Sequence, residues 1–259
     1  MHCGDLHLDS ALSANLEGEK KKQRKSELVY SFVRMAEYAA EQKVTAILIA
    51  GDLFDGNYVT KRTQNMVKET VLRFPFVDFL YLKGNHDCDS FLENWEDCPD
   101  NFKTFGKEWT YYRYDDVVIA GAELCGENSA ALWDSLVLNR NDCNIVLLHG
   151  QTEKYKSAER TETISVAELK NKNIDYLALG HIHGYRCETL DSRGVYCYCG
   201  CLEGRGFDEC GEKGFVMLDI NEGKVEHAFH PFAVRTVHEV RVDITGSETT
   251  TEVEGRMRE

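Results

Sequence analysis

The stretch VTAILIAGDLFD, residues 44–55, decides the fold. Its first half, Val44 to Ala50, is a near-continuous apolar run of strand length, the pattern of a strand buried on both faces. Its second half turns abruptly to glycine and carboxylates. That is the composition of a loop at the C-terminal end of a strand, the edge at which α/β sheets build their sites. Upstream, Leu28, Val29, Phe32, Val33, Ala36, Ala39 and Ala40 recur at helical spacing between Ser26 and Gln42. Downstream, a second helical pattern runs from Thr60 to about Arg73 and leads into VDFLYL, residues 77–82. VVIAG (117–121), NIVLL (144–148) and DYLAL (175–179) supply further buried strands. After Gly184 the character changes. YRCETL and GVYCYC flank the turn DSRG, and GFVMLDI and KVEHAF flank NEG, so both pairs predict hairpins. TVHEVRVDI (236–244) predicts one more strand, followed by a polar, Thr/Glu-rich tail expected to fray. The pattern is α/β followed by antiparallel β.

At 259 residues, with 42% apolar and 29% charged side chains, the chain has the composition of an ordinary globular protein of one large or two modest domains. The opening MHCGDLHLDS has no basic segment followed by an apolar one, so no secretory signal is read there. No apolar run approaches the roughly 18 residues that span a bilayer. Ten cysteines are scattered rather than clustered, which predicts reduced thiols in a cytoplasmic protein. A net charge of −14 opposes contact with a phosphate backbone, although bound cations would neutralise several carboxylates. There is no internal repeat and no flexible Gly/Ser-rich linker.

Five short motifs put Asp, His and Asn at the ends of predicted strands: Asp5-Leu6-His7, Gly51 to Asp55, Gly84-Asn85-His86-Asp87, Leu148-His149-Gly150 and Gly180-His181-Ile182-His183. Five of the nine histidines fall in these motifs. Divalent cations accept carboxylate and amide oxygen together with imidazole nitrogen. On an extended segment, Asp-x-His and His-x-His would point both side chains to one face. Two cations about 3.5–4 Å apart can hold a bridging hydroxide and clamp an in-line phosphoryl displacement.

The set D-x-H, GD-x-x-D, GNHD, H and GH-x-H resembles the calcineurin-like metallophosphoesterase superfamily. The resemblance implies a four-layer α/β/β/α sandwich with two mixed β-sheets. It implies that Asp5, His7, Asp52 and His183 hold one metal, and Asp52, Asn85, His149 and His181 the second. It gives His86 the role of catalytic proton donor to the leaving oxygen, with Asp87 orienting it. HCGDLHLDS and the segment Gly200 to Glu209, which ends in GRGFDE, resemble the SbcD/Mre-type DNA-repair exonucleases. From that branch would follow Mn2+-dependent DNA exonuclease and endonuclease activity, with Fe2+, Zn2+ or Mg2+ as other cofactors. An SbcC-like SMC-family ATPase partner, a possible homodimer and a substrate contact at Arg205 would follow too. A phosphomonoesterase or cyclic-nucleotide phosphodiesterase is the alternative within the superfamily; a non-catalytic scaffold for an ATPase lies outside it. The nuclease core is expected over 1–235, with 236–259 as a final strand and tail that would begin a truncated capping domain. Only Met1 to Gly4 precede the first metal motif, fewer than the family's first strand normally has.

Several features stand outside these motifs. Cys197, Cys199 and Cys201 alternate on a predicted strand and would share one face, where small buried thiols are ordinary core residues. KKKQRK, Lys20 to Lys25, reads as a solvated loop or helix start before a phosphate contact. Arg186 is a lesser candidate than Arg205 for touching substrate. His227, His230 and His238 are expected to be surface or packing residues.

Overall fold

The computed structural model describes residues 1–10, 12, 16–56, 59–88, 90–126, 128–156 and 161–258. Two mixed six-stranded sheets form its centre. The first holds, from one edge to the other, β14 (Lys224–Pro231), β13 (Gly214–Asn221), β1 (His2–Cys3), β2 (Ala46–Ala50), β3 (Asp78–Leu82) and β4 (Phe102–Thr104). The second runs β11 (Arg186–Thr189), β12 (Val195–Tyr198), β10 (Tyr176–Gly180), β7 (Cys143–His149), β6 (Val117–Gly121) and β5 (Thr110–Tyr114). Strands β1 to β4 are parallel, as are β6, β7, β10 and β12, while β13, β14, β11 and β5 pair antiparallel with their neighbours. A small parallel pair, β8 (Gln151–Thr152) and β9 (Thr163–Ile164), sits apart.

The apolar run that opened the sequence reading explains the layering. On β2, Leu48 and Ala50 face inward against Ile119, Ile145, Leu147 and Ala178 of the opposing sheet. Ile47 and Ile49 face outward, into a core with Phe32, Met35, Ala36 and Ala39 of α1 (Gly18–Glu41) and with Val67 and Val71 of α2 (Lys61–Arg73). The other outer layer packs Leu132 and Trp133 of α4 (Ser129–Ser135) and Leu169 of α5 (Val166–Leu169) on the second sheet. A one-turn α3 (Ser90–Glu93) follows the GNHD loop. Strands covered on both faces must be apolar throughout, and these are. The α/β/β/α sandwich that the resemblance implies is the observed architecture. Among the described residues no helix is long and apolar enough to cross a membrane.

Local signals account for much of the detail. Thr60 caps α2, its hydroxyl accepting from the Thr63 amide at 3.2 Å. The turn between β13 and β14 has positive φ at both Glu222 and Gly223, the backbone that two-residue hairpins favour. The basic run Lys20 to Lys25 lies in the first turns of α1, which begins eight residues before the apolar periodicity does; only Arg24 of the run is buried.

Three expectations fail. Residues 236–244 form no strand: Val237 makes a single bridge with Gly211, and Val240 is 77% exposed. A strand needs a continuous partner and a covered face, and beyond the one bridge at Val237 the segment 238–244 is largely exposed. The tail is not frayed but forms α6 (Thr250–Arg258), with no buried residue. Thr249 and Glu252 form a reciprocal capping box at its start, with Glu252 N–H donating to the Thr249 hydroxyl at 3.3 Å and Thr249 N–H to the Glu252 carboxylate at 3.2 Å. Finally, Cys187 and Cys197 are joined as a disulfide across the β11–β12 pair, which corrects the reading of every cysteine as a free thiol.

Candidate metal centre

The parallel strands deliver their C-terminal ends to one rim between the two sheets. Asp5 and His7 follow β1, Asp52 follows β2, Asn85 and His86 follow β3, His149 ends β7, and His181 and His183 follow β10. The motif segments are not extended, as the sequence reading assumed. Asp5, His7, Asp52 and His181 all have positive φ, at 51°, 45°, 51° and 101°. Such backbone is costly for a residue with a Cβ and survives only where the surroundings fix it. Here the first two loops are zipped together: Asp5 N–H donates to Gly51 O at 3.0 Å, His7 N–H to Asp52 O at 2.9 Å and Leu8 N–H to Leu53 O at 2.9 Å. Gly84 is required by proximity, since a Cβ there would stand 2.1 Å from an Asp52 carboxylate oxygen.

The side chains gather in two overlapping groups. Ligand atoms of Asp5, His7 and His183 lie within 4.8 Å of one another, as do those of Asp52, His149 and His181. Asp52 lies between the groups, its Oδ2 being 3.7 Å from His7 Nε2 and 3.3 Å from His149 Nε2. Its other oxygen is anchored by the His86 amide at 2.9 Å. Asn85 Oδ1 completes the second group, 3.0 Å from His149 Nε2 and 3.2 Å from His181 Nδ1. Asp5 is held by the His181 amide at 2.8 and 3.0 Å. All of the predicted ligands are therefore brought together.

The tautomers point the same way. His149 Nδ1 donates to Ala50 O at 2.8 Å, His183 Nδ1 to Glu209 Oε1 at 2.6 Å and His7 Nδ1 to Asp55 Oδ1 at 3.3 Å. Each acceptor can only accept, so each Nδ1 carries a hydrogen and each Nε2 faces inward. His7 Nε2 and His183 Nε2 face one another at 3.2 Å. At that distance the two ring nitrogens can share a hydrogen or a cation. The donor set of carboxylate, amide and imidazole fits a pair of divalent cations.

Burial and charge set the protonation states. Asp5, His7, Asp52, His149 and His181 are buried, whereas the His86 and His183 side chains remain 28% and 24% exposed and mark the open side. Burial pushes the Asp5 carboxyl up, against the pull of His183 and His149. Burial would raise Asp52 too, but the His149 imidazole beside it holds it well below the carboxylate range. His149, lowered by burial, is carried up to about 9 by Asp52. Hydrogen bonds from His7 and His86 hold Asp55 far below its usual value.

Asp87 does not orient His86. Its carboxylate accepts from the amides of Phe54 at 2.8 Å, Gly84 at 2.9 Å and Leu53 at 3.3 Å, so it ties two ligand loops together. Burial, and then the Asp52 charge, raise it to about 7. The carboxylate facing His86 belongs to Asp55, whose Oδ1 lies 3.3 Å from the Nδ1 of both His86 and His7. Asp55 and Glu209 are the functional residues that the sequence reading passed over, although each closes a quoted motif, GDLFD and GRGFDE. Arg205 lies at the rim, its guanidinium 3.1 Å from Glu209 Oε1 and 3.2 Å from His183 Nδ1. Arg186 lies outside the centre and donates to Tyr185 O at 2.8 Å. Beside Arg205 opens a cavity of about 390 Å³ lined by Lys20, Gln23, Arg24, Phe207 and Arg235 among others.

The calcineurin-like phosphoesterase family pattern matches residues 1–185, which include every ligand motif but not Arg205 or Glu209. An uncharacterized metallophosphoesterase, YhaO of Bacillus subtilis (strain 168), is 24% identical over 265 residues, 97% of this chain. The match covers 64% of that protein, so the chain spans just under two thirds of its relative's length. The crystal structure of TT1561 of Thermus thermophilus superposes with a TM-score of 0.50 at 17% identity, covering 78% of this chain and 92% of that one, and shares the fold.

Proposed function

The chain belongs to the calcineurin-like phosphoesterases, metal-dependent hydrolases, and from that premise we propose that it is a two-metal phosphodiesterase that cleaves DNA strands. The observation that carries the hydrolytic reading is the inward convergence of three imidazole Nε2 atoms, those of His7 and His149 on Asp52 and that of His183 on His7, each ring fixed from behind through its Nδ1. When bound, the two cations supply Lewis-acid polarisation of the phosphoryl group and an activated water nucleophile. Asp5, His7 and His183 would hold one of them, Asn85, His149 and His181 the other, and Asp52 both. His86, at the open side, donates a proton to the leaving oxygen, and the Asp55 carboxylate beside its Nδ1 holds the ring in place and favours its protonated form before the transfer. Arg205 takes a non-bridging phosphate oxygen at the rim.

Support for a strand substrate comes from the cavity beside Arg205. Lys20, Arg24 and Arg235 give it a basic wall in a chain of net charge −14, and Phe207, 73% exposed, offers a ring on which a base can stack. Arg24 and Arg235 are both paired with Glu27, which sets their position at the wall. In this reading Mn2+ is the working metal and an SMC-type ATPase the partner, as the SbcD/Mre-type resemblance implies. The test is a matrix of Mn2+, Mg2+, Zn2+ and Fe2+ against single- and double-stranded DNA, nitrophenyl phosphate and its bis-ester. Cleavage of DNA and of the bis-ester, with the monoester slower, is expected. Faster turnover of the monoester with intact DNA overturns the proposal.

A further inference from the structure

We propose that reduced Cys187 and Cys197, together with His227, form a second cation site of zinc type, separate from the dinuclear centre. Cys187 and Cys197 stand directly opposite each other on β11 and β12, with Cα atoms 4.2 Å apart. His227 comes from the other sheet, on β14, and its Nε2 lies 3.2 Å from Cys187 Sγ. The two sulfurs and the ring nitrogen all lie within 4.8 Å of one another. Since β11 and β14 are the edge strands of the two sheets, the three side chains meet where the sandwich is open along one side.

The structure records the sulfurs joined, and a disulfide does not ligate. A dithiol reductant supplies two electrons and two protons, leaves as its own disulfide and frees two thiols. Binding a divalent cation then releases both thiol protons. Zn–S bonds of about 2.3 Å and Zn–N bonds of about 2.0–2.1 Å separate tetrahedral ligands by about 3.5–3.8 Å, a spacing these side chains reach with small rotations. Charge argues in the same direction. Cys197 is fully buried in an apolar cluster with Ala178, Ile220, Val225 and Phe229, where two thiols without a cation would not ionise. Two thiolates and one divalent cation are electroneutral, and the imidazole adds no charge. Cys187 and His227 are half-buried, so the site has a route to solvent for the cation and for a fourth ligand, the arrangement of open Cys2His zinc sites. Bound there, the cation clips the edge of one sheet to the edge of the other.

Cobalt titration of the full chain decides the matter, because the dinuclear centre contains no cysteine and gives no thiolate-to-cobalt charge-transfer absorption. Protein reduced with a phosphine should develop that near-ultraviolet band within three equivalents of Co2+, two of which the dinuclear centre can take, and lose it on adding Zn2+. The disulfide form should not develop it. Cys187→Ser and Cys197→Ser should each abolish the band, and His227→Ala should weaken cobalt binding roughly tenfold or more. All three should keep the parent rate of bis-ester hydrolysis. Absence of the band in the reduced parent overturns the proposal. So does an undiminished band in Cys187→Ser, which would assign it to others of the eight free cysteines.

Discussion

Replacing Glu209 with glutamine probes one half of the dinuclear centre and leaves the other as a control. The Glu209 carboxylate is buried, accepts from His183 Nδ1 at 2.6 Å and from the Arg205 amide at 2.5 Å, and pairs with the Arg205 guanidinium at 3.1 Å. Glutamine keeps one acceptor oxygen but replaces the other with a donor that must face the Arg205 N–H. It also removes the negative charge that makes His183 a stronger ligand. Loss of such a supporting carboxylate typically costs 10–100-fold in metal affinity, about 1.4–2.7 kcal/mol. Glu209 backs His183, a ligand of the cation held with Asp5 and His7, whereas His149 of the other group is oriented by Ala50 O. Calorimetric titration with Mn2+ should therefore show two sites of similar strength in the parent and a split isotherm in Glu209→Gln, with one site unchanged. Burial raises the Glu209 carboxyl, yet the His183 hydrogen bond wins and holds it at about 2. Its contribution to stability is thus full above the ordinary glutamate range and is lost as pH falls towards 2; the variant's acid unfolding should lack that component. An isotherm within twofold of the parent at both sites, or equal weakening of both, would refute the reasoning.

Three further outcomes follow from the geometry. His86→Ala should lower the turnover number on the bis-ester by about 10²–10⁴-fold, with both cations retained by metal analysis, since its part is a proton transfer. Gly180→Ala would set a Cβ 1.7 Å from Ala50 O, where the ends of β10 and β2 meet, and should cost about 3 kcal/mol or more in urea unfolding. His2 is fully buried, which lowers its pKa to about 3, so it stays neutral in the folded chain through the range in which the unfolded chain gains a proton. Stability should then be full above about pH 6.5 and fall towards pH 3 at up to about 1.4 kcal/mol per unit; His2→Gln should flatten that slope in urea melts taken against pH.

The layers and the metal ligands were legible in the sequence because their signals are local. An apolar run such as Val44 to Ala50 must be covered on both faces, and a glycine with carboxylates after it must leave the strand at the C-terminal rim. The five motifs stand out from their residues, the superfamily resemblance implied which of their side chains are donors, and the fold brings those donors together as groups. The tertiary structure alone decided the supporting contacts. That Asp55 faces His86 while Asp87 ties two loops depends on which backbone amides reach each carboxylate. That Glu209 backs His183 depends on a contact between residues 26 positions apart. The residues of 236–244 have the alternation of a strand, but pairing requires a neighbouring edge, and the structure gives them a single bridge, at Val237. Cys187, Cys197 and His227 meet because two different sheets end at the same side of the sandwich. Periodicity and composition act within a few residues, whereas hydrogen-bond partners, tautomers and edge positions are settled only when distant segments are packed.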